Sequence, residues 1–236
     1  MNGPARLWRE RLGGARLLFV GRSPEASGRD ALAAAGVELP LAWARQIHSA
    51  QVLSAPADGG EAGRGDALVT TRRELALGIA VADCVPVALA GEGELALAHA
   101  GWRGIVAGVV PAAAGRMASP PTALTAWIGP AIGACCYEVD RGVAAEVAGV
   151  GGPEVVVAGP REKPHLDLRR AVAAQLARLG VERINQVDVC TRCRSDLLWS
   201  YRRDGAAAGR NFLFGWMARR AAPQARRRGA GRLAGS

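Results

Sequence analysis

Histidine occurs three times and cysteine five times in this chain of 236 residues. Each place where a nitrogen or sulfur ligand could act is therefore informative. His48, Cys84 and His99 offer two imidazoles and one thiol. That set suits a transition-metal ion, zinc first, which keeps three protein ligands and an open position for water or substrate. Copper also accepts such N and S donors. The three residues lie far apart in sequence, so only the fold could gather them, and spacing leaves two other readings open. In one, the histidines are hydrogen-bonded core or loop residues and Cys84 is a small buried side chain. In the other, Cys84 is a nucleophile and His99 its base, in a metal-free cysteine hydrolase. Asp83 is a poor partner for the thiol, because neighbours on an extended strand point to opposite faces.

Cys190 and Cys193 form a CxxC. A single CxxC without a second pair or nearby histidines is half a structural zinc site, and no clear helix start follows it, as a thioredoxin-like role would require. Two unlinked thiols are the favoured reading. Cys135 and Cys136 are adjacent, and vicinal thiols seldom share a bridge or a metal; Cys136 is a candidate pocket residue. Arg103, Arg202 and Arg203 are candidate anion contacts, because guanidinium groups match phosphate oxygens. Gly101 and Gly104 allow a tight turn around Trp102 and Arg103. The plainer alternatives are core packing for Trp102 and a structural ion pair between Arg203 and Asp204.

The elements that must position these groups follow from apolar patterning. Residues 15–20, 67–71 and 75–82 read as strands, the last a nearly continuous apolar run suited to burial on both faces. Residues 85–90 and 95–99 are strand-like and joined by a turn at 91–94. A hairpin there brings Cys84 and His99 to the same end of two neighbouring strands. Helices are expected over 31–36, 105–117, 139–150 and 166–179, the last with Asp167 as N-cap and Gly180 as its stop. Residues 54–66 read as a loop, and 125–128, 186–190 and 211–217 as further strand or apolar segments. No internal repeat or linker divides the chain. The expected architecture is α/β, in the mixed α+β sense: a single-domain layered sandwich over residues 1–218 with a mixed β-sheet and flanking helices.

Composition narrows the function. Half the residues are hydrophobic and 22% charged, as in ordinary globular proteins. No apolar run approaches the roughly 18 residues of a membrane span, and the short apolar stretch at 15–20 makes no secretory signal. A cytoplasmic protein with no membrane partner is expected. An odd cysteine count argues against a disulfide framework. The net charge of +9 suggests nucleic acid at first sight, but no nucleic-acid module accompanies it. Much of the charge sits in arginines of a Gly/Ala-rich segment, 219–236, expected to be a solvated, disordered tail. No specific nucleic-acid partner is expected, and the protein is read as a monomer or homodimer.

Five segments carry a family pattern. RQIHS (45–49), VADCVP (81–86), AHAGWRG (98–104), GPAIGACCYEV (129–139) and CTRCRSDLLWSYRRDG (190–205) resemble, in order, the motifs of the laccase-domain or YfiH-type family. Its members were first described as polyphenol oxidases and are now regarded as purine nucleoside phosphorylases. The resemblance implies a YfiH-like fold with His48, Cys84 and His99 as ligands of a catalytic zinc. It implies phosphate-dependent cleavage of adenosine, inosine or guanosine, extending to methylthioadenosine, with adenosine deamination as a second activity. Catalytic roles then fall to Cys84, His99 and Arg103, and substrate contacts to Arg22, Gln46, Cys136 and Arg203, with a nucleoside and phosphate as partners. Alternatives are a metal-free amidase acting on peptidoglycan precursors and a copper-dependent polyphenol oxidase. The chain departs from the pattern in lacking an SLNLG-like segment before RQIHS, in the extra Cys193, and in the apolar GRNFLFGWM (209–217).

Overall fold

The computed structural model describes residues 7–25 and 27–218; the expected basic tail at 219–236 lies outside them. In chain order the first half holds β1 (Leu7–Leu12), β2 (Ala15–Val20), α1 (Gly28–Ala34), β3 (Leu41–Arg45), β4 (Val52–Ser54), β5 (Gly60–Arg64), β6 (Ala67–Thr70), β7 (Ala76–Val81), β8 (Val85–Gly91) and β9 (Glu94–Ala100). The second half holds α2 (Trp102–Ala107), α3 (Val109–Gly115), β10 (Thr125–Ile128), α4 (Arg141–Gly151), β11 (Val156–Val157), β12 (His165–Leu166), α5 (Leu168–Leu179), β13 (Arg183–Gln186), α6 (Tyr201–Asp204) and β14 (Asn211–Met217).

Two six-stranded sheets form, with orders β1-β2-β14-β7-β3-β5 and β13-β10-β8-β9-β6-β4. Parallel and antiparallel pairs mix in both, as in β3 with β7 and β8 with β9, so the expected mixed α+β sandwich is what forms. One core, with Leu77, Ile79 and Leu213 against Leu95, Leu97 and Trp127, lies between the sheets. A second packs Val85, Val87 and Ala98 against Ile105, Val110, Val172 and Leu176 of the helices. A third covers the far face of the first sheet with Ala31 and Leu32 of α1.

This layering explains the sequence of β9. All seven of its residues, ELALAHA, are buried, because helices cover one face and a sheet the other. Leu95 and Leu97 enter the inter-sheet core while Ala96 and Ala98 face the helices. Burying each leucine contributes about 1.5–3 kcal/mol. His99 continues the leucine row at the strand end.

Several expectations are corrected. The loop at 54–66 contains β5, which runs parallel to β3; it was hidden because GEAGR lacks strand-forming residues and owes its state to its neighbour. The helix expected at 105–117 is two, broken at Gly108, whose φ of 83° closes α2 with a left-handed cap. The strand expected at 186–190 sits earlier, as β13. The polar strand β1 pairs with β2 at a sheet edge, where charged side chains such as Arg9 and Glu10 remain in water. For α5 the N-cap reading holds: Asp167 accepts from Arg170 N–H at 3.0 Å, and Gly180 caps the C-terminus.

Candidate metal centre

The β8–β9 hairpin pairs Val85 with Ala100 and Pro86 with His99, so Cys84, one residue before β8, comes beside His99 as the sequence suggests. His48 arrives from the segment after β3. The ligand atoms of His48, Cys84 and His99 all lie within 4.8 Å of one another. Cys84 Sγ is 3.9 Å from His48 Nε2, and the two imidazoles meet edge to face at 4.8 Å. A Cβ at Gly101 would lie 2.9 Å from His48 Cδ2 and 3.0 Å from Cys84 Sγ. Only glycine therefore leaves room for the donors to converge.

The group that organises this cluster is Asp66, at the end of the segment expected to be a loop. It lies just before β6, and its carbonyl accepts His99 N–H at 2.7 Å. Its buried carboxylate accepts from His99 Nδ1 at 2.8 Å, from the N–H groups of Ile47, His48 and Ser49, and from Ser49 Oγ. His48 has φ of 59°, a left-handed conformation costly for a non-glycine residue. The three N–H bonds to one carboxylate hold that strained turn. A carboxylate on Nδ1 also leaves Nε2 of His99 as the free donor, the usual second layer behind a metal-bound histidine.

The electrostatics agree. Burial works against the Asp66 anion, but hydrogen bonds from His99, Ser49 and Ile47 outweigh it and hold the carboxyl well below the usual range. Burial also disfavours the His99 cation, yet Asp66 and Cys84 raise its pKa to about 9. Burial opposes ionisation of Cys84, but hydrogen bonds and charge from His48 and His99 bring the thiol down to about 7. A thiol this easily ionised is ready to serve as a metal ligand or nucleophile.

The cluster opens into a cleft of about 620 Å³, within the range of small-molecule sites. Gln46 and Arg103, both expected at the site, line it, as do Trp102, Tyr137, Arg202 and Arg210. Gln46 also ties β7 to the site, its amide bonding both Ala80 O and Ala80 N–H. Arg103 stacks on Trp102 at 4.4 Å and Arg202 on Tyr137 at 4.9 Å. Burial and the nearby Cys84 push Tyr137 up to about 12, so it keeps its proton.

Three expected substrate contacts lie elsewhere. Arg203 donates to the carbonyls of Thr191, Arg192 and Leu198 and pairs with Asp204 at 2.7 Å, the structural ion pair weighed as its alternative. Its neighbour Arg202 faces the cleft, a phase set by the single turn of α6. Arg22 stacks on Trp199 at 3.9 Å and donates to Ser195 O. Cys136 joins a separate group of thiols. Asp83 is not extended, as the sequence suggests, but sits in a bend with φ of 95°, and its carboxylate accepts from Thr191 Oγ1 at 2.5 Å and Arg202 N–H at 2.6 Å.

Residues 25–218 match the family described as multi-copper polyphenol oxidoreductase laccase. The chain is 44% identical over 184 residues to a purine nucleoside phosphorylase of Streptomyces coelicolor, covering 75% of each chain. It is 37% identical over 157 residues to an adenosine deaminase from an unknown prokaryotic organism, covering 62% of this chain and 60% of that one. The crystal structure of a Neisseria meningitidis protein of the DUF152 family superposes with a TM-score of 0.80 at 28% identity, covering 92% of this chain and all of the other.

Proposed function

The chain belongs to the multi-copper polyphenol oxidoreductase laccase family, and from that premise we propose that it is a zinc-dependent purine nucleoside phosphorylase. The observation that carries the reading is the His48–Cys84–His99 donor set, backed by buried Asp66 at the floor of an arginine-lined cleft. Two imidazoles, one thiolate and an open side fit a catalytic zinc. His48, Cys84 and His99 would hold the ion, which would supply Lewis acidity toward an oxygen or nitrogen of the substrate.

The chain's own groups do the rest. In phosphorolysis a phosphate oxygen bonds to C1′ of the ribose while the bond from C1′ to the purine nitrogen breaks. Arg103, Arg202 and Arg210 bring positive charge to the cleft to hold phosphate. Trp102 and Tyr137 offer aromatic surface for a purine. Tyr137, protonated up to about pH 12, donates a hydrogen bond to the departing base. Ala80, Ala82 and Trp102 add apolar wall surface beside these charges.

The similarity to a named adenosine deaminase supports deamination as a second activity of the same centre. The thiol of about 7 favours one rival, a metal-free cysteine hydrolase. The test is phosphate-dependent release of hypoxanthine from inosine, with metal content measured on the same protein and on Cys84→Ala and His99→Ala. We expect turnover in the parent and none in the variants, each of which should hold one zinc ion fewer than the parent. Copper in place of zinc would favour an oxidase. Activity that needs Cys84 but survives complete metal removal would sink the zinc reading.

A further inference from the structure

Four of the five cysteines have no part in the cleft. Cys135, Cys136, Cys190 and Cys193 are free thiols whose Sγ atoms all lie within 4.8 Å of one another. Cys193 Sγ is 3.4 Å from Cys136 Sγ and 3.6 Å from Cys135 Sγ. Four sulfurs around a zinc ion at about 2.3 Å stand about 3.8 Å apart on a regular tetrahedron. The two separations from Cys193 lie close to that value, and none among the four sulfurs exceeds 4.8 Å. An iron–sulfur cluster, with several metal atoms between its thiolates, would spread them further.

Two tight turns supply the ligands. In one, the N–H groups of Cys136 and Tyr137 both donate to Gly133 O, at 2.9 and 3.0 Å. In the other, Arg194 N–H donates to Cys190 O at 3.1 Å. A parallel bridge between Ala131 and Cys190 sets the turns side by side. Gly133 N–H donates to Cys190 Sγ at 3.2 Å, a bond that favours a thiolate there. A cation beside the sulfurs offsets part of the charge that four thiolates around a dication would carry. Arg192 Nη1 is 3.6 Å from Cys136 Sγ. The buried Arg169 guanidinium lies behind Gly133, where it pairs with Asp188 at 2.7 Å and ties down the carbonyls of Val187 and Val189 just before Cys190.

We infer that these four cysteines bind a second zinc ion, in a closed structural site. Four protein thiolates fill the coordination shell, so the ion has no open position for chemistry. Binding displaces the thiol protons to solvent and involves no change of oxidation state. The ion joins residues 129–139 to 190–204, and both segments serve the cleft. Tyr137 follows the first cysteine pair; Thr191 lies inside the CxxC and donates to Asp83, next to Cys84. Arg202 Nη1 reaches Glu138 O at 2.7 Å. The second ion thus holds the wall that carries Tyr137 and Arg202.

The site does not depend on the proposed activity, and its test separates the two. Full-length protein is purified with zinc under reducing conditions, as wild type, as His48→Ala and as the Cys135→Ser/Cys193→Ser double variant. Zinc per chain is measured, and each protein is reloaded with cobalt(II). We expect two zinc ions in the wild type, one in each variant, and an intense thiolate-to-cobalt charge-transfer band that survives in His48→Ala and collapses in the double variant. If the double variant does not fold, the wild-type cobalt spectrum still decides, because four thiolates absorb far more strongly than one. A wild type with one zinc that His48→Ala removes overturns this site and leaves the phosphorylase reading intact. One zinc that only the cysteine pair removes supports this site and removes the catalytic zinc. A wild-type mass short by two hydrogens, from a disulfide between Cys193 and Cys136 or Cys135, also overturns it.

Discussion

The two ligand clusters of this protein are built on opposite plans. His48, Cys84 and His99 are held by a buried carboxylate that collects hydrogen bonds from two strand ends and a strained turn. Cys135, Cys136, Cys190 and Cys193 sit nearer the surface and are placed by backbone turns. The first is incomplete as a coordination shell and faces a cleft; the second supplies four donors of one kind. On the proposed reading, a site that exchanges its fourth ligand has its three fixed ones braced from outside. A closed site can let the metal do the bracing.

The sharpest way to break the comparison is Cys84→Ala. It should abolish metal binding at the cleft and cut phosphorolysis by more than about 100-fold, beyond the usual effect of removing a supporting residue. Metal analysis and an inosine assay check it, and the four-cysteine site should keep its ion. Asp66→Asn comes next. The amide keeps the size but loses the charge and some acceptors, so zinc affinity at the cleft should fall roughly 10–100-fold in a chelator competition. An unchanged affinity would mean that Asp66 braces nothing.

Arg202→Ala sharpens the division of labour on the cleft wall. We expect KM for phosphate to rise about tenfold, the loss of one charge-assisted contact, with zinc content unchanged. Arg203→Ala should instead lower Tm, since its guanidinium ties down three carbonyls.

The smallest effect should come from Glu94, remote from both clusters. Burial opposes its ionisation, but Ser119 and the N–H groups of Ala118 and Ser119 hold its pKa below the ordinary value. A depressed folded pKa stabilises the fold above the unfolded value and loses that contribution as pH falls through the folded one. Glu94→Gln should therefore cost about 1 kcal/mol near neutral pH, with the gap to wild type closing in acid. Denaturant melts at several pH values measure this, and a constant gap would show that charge is not the cause.

Much of the first cluster was legible in the sequence. Scarce histidines limited the choices, and unbroken apolar runs on both sides of a short turn placed Cys84 and His99 together. The five ordered motifs supported the same three residues. Asp66 was illegible, because its partners at 47–49 and 99 come to it only through the pairing of β6 with β4 and with β9. Nothing local marks a carboxylate that will be buried. The second cluster was divided between a vicinal pair and a CxxC that look inert apart, each having only half the donors.

The sequence by itself determined which atoms could do chemistry and which strands would be covered on both faces, because donor type and apolar periodicity are local properties. Only the tertiary structure decided which donors converge. It set Arg202 rather than Arg203 toward the cleft, gave His48 its strained turn, and brought two remote cysteine pairs within 4.8 Å. Those outcomes depend on register between distant strands and on the phase of a single helical turn, and neither is written in any short stretch of the chain.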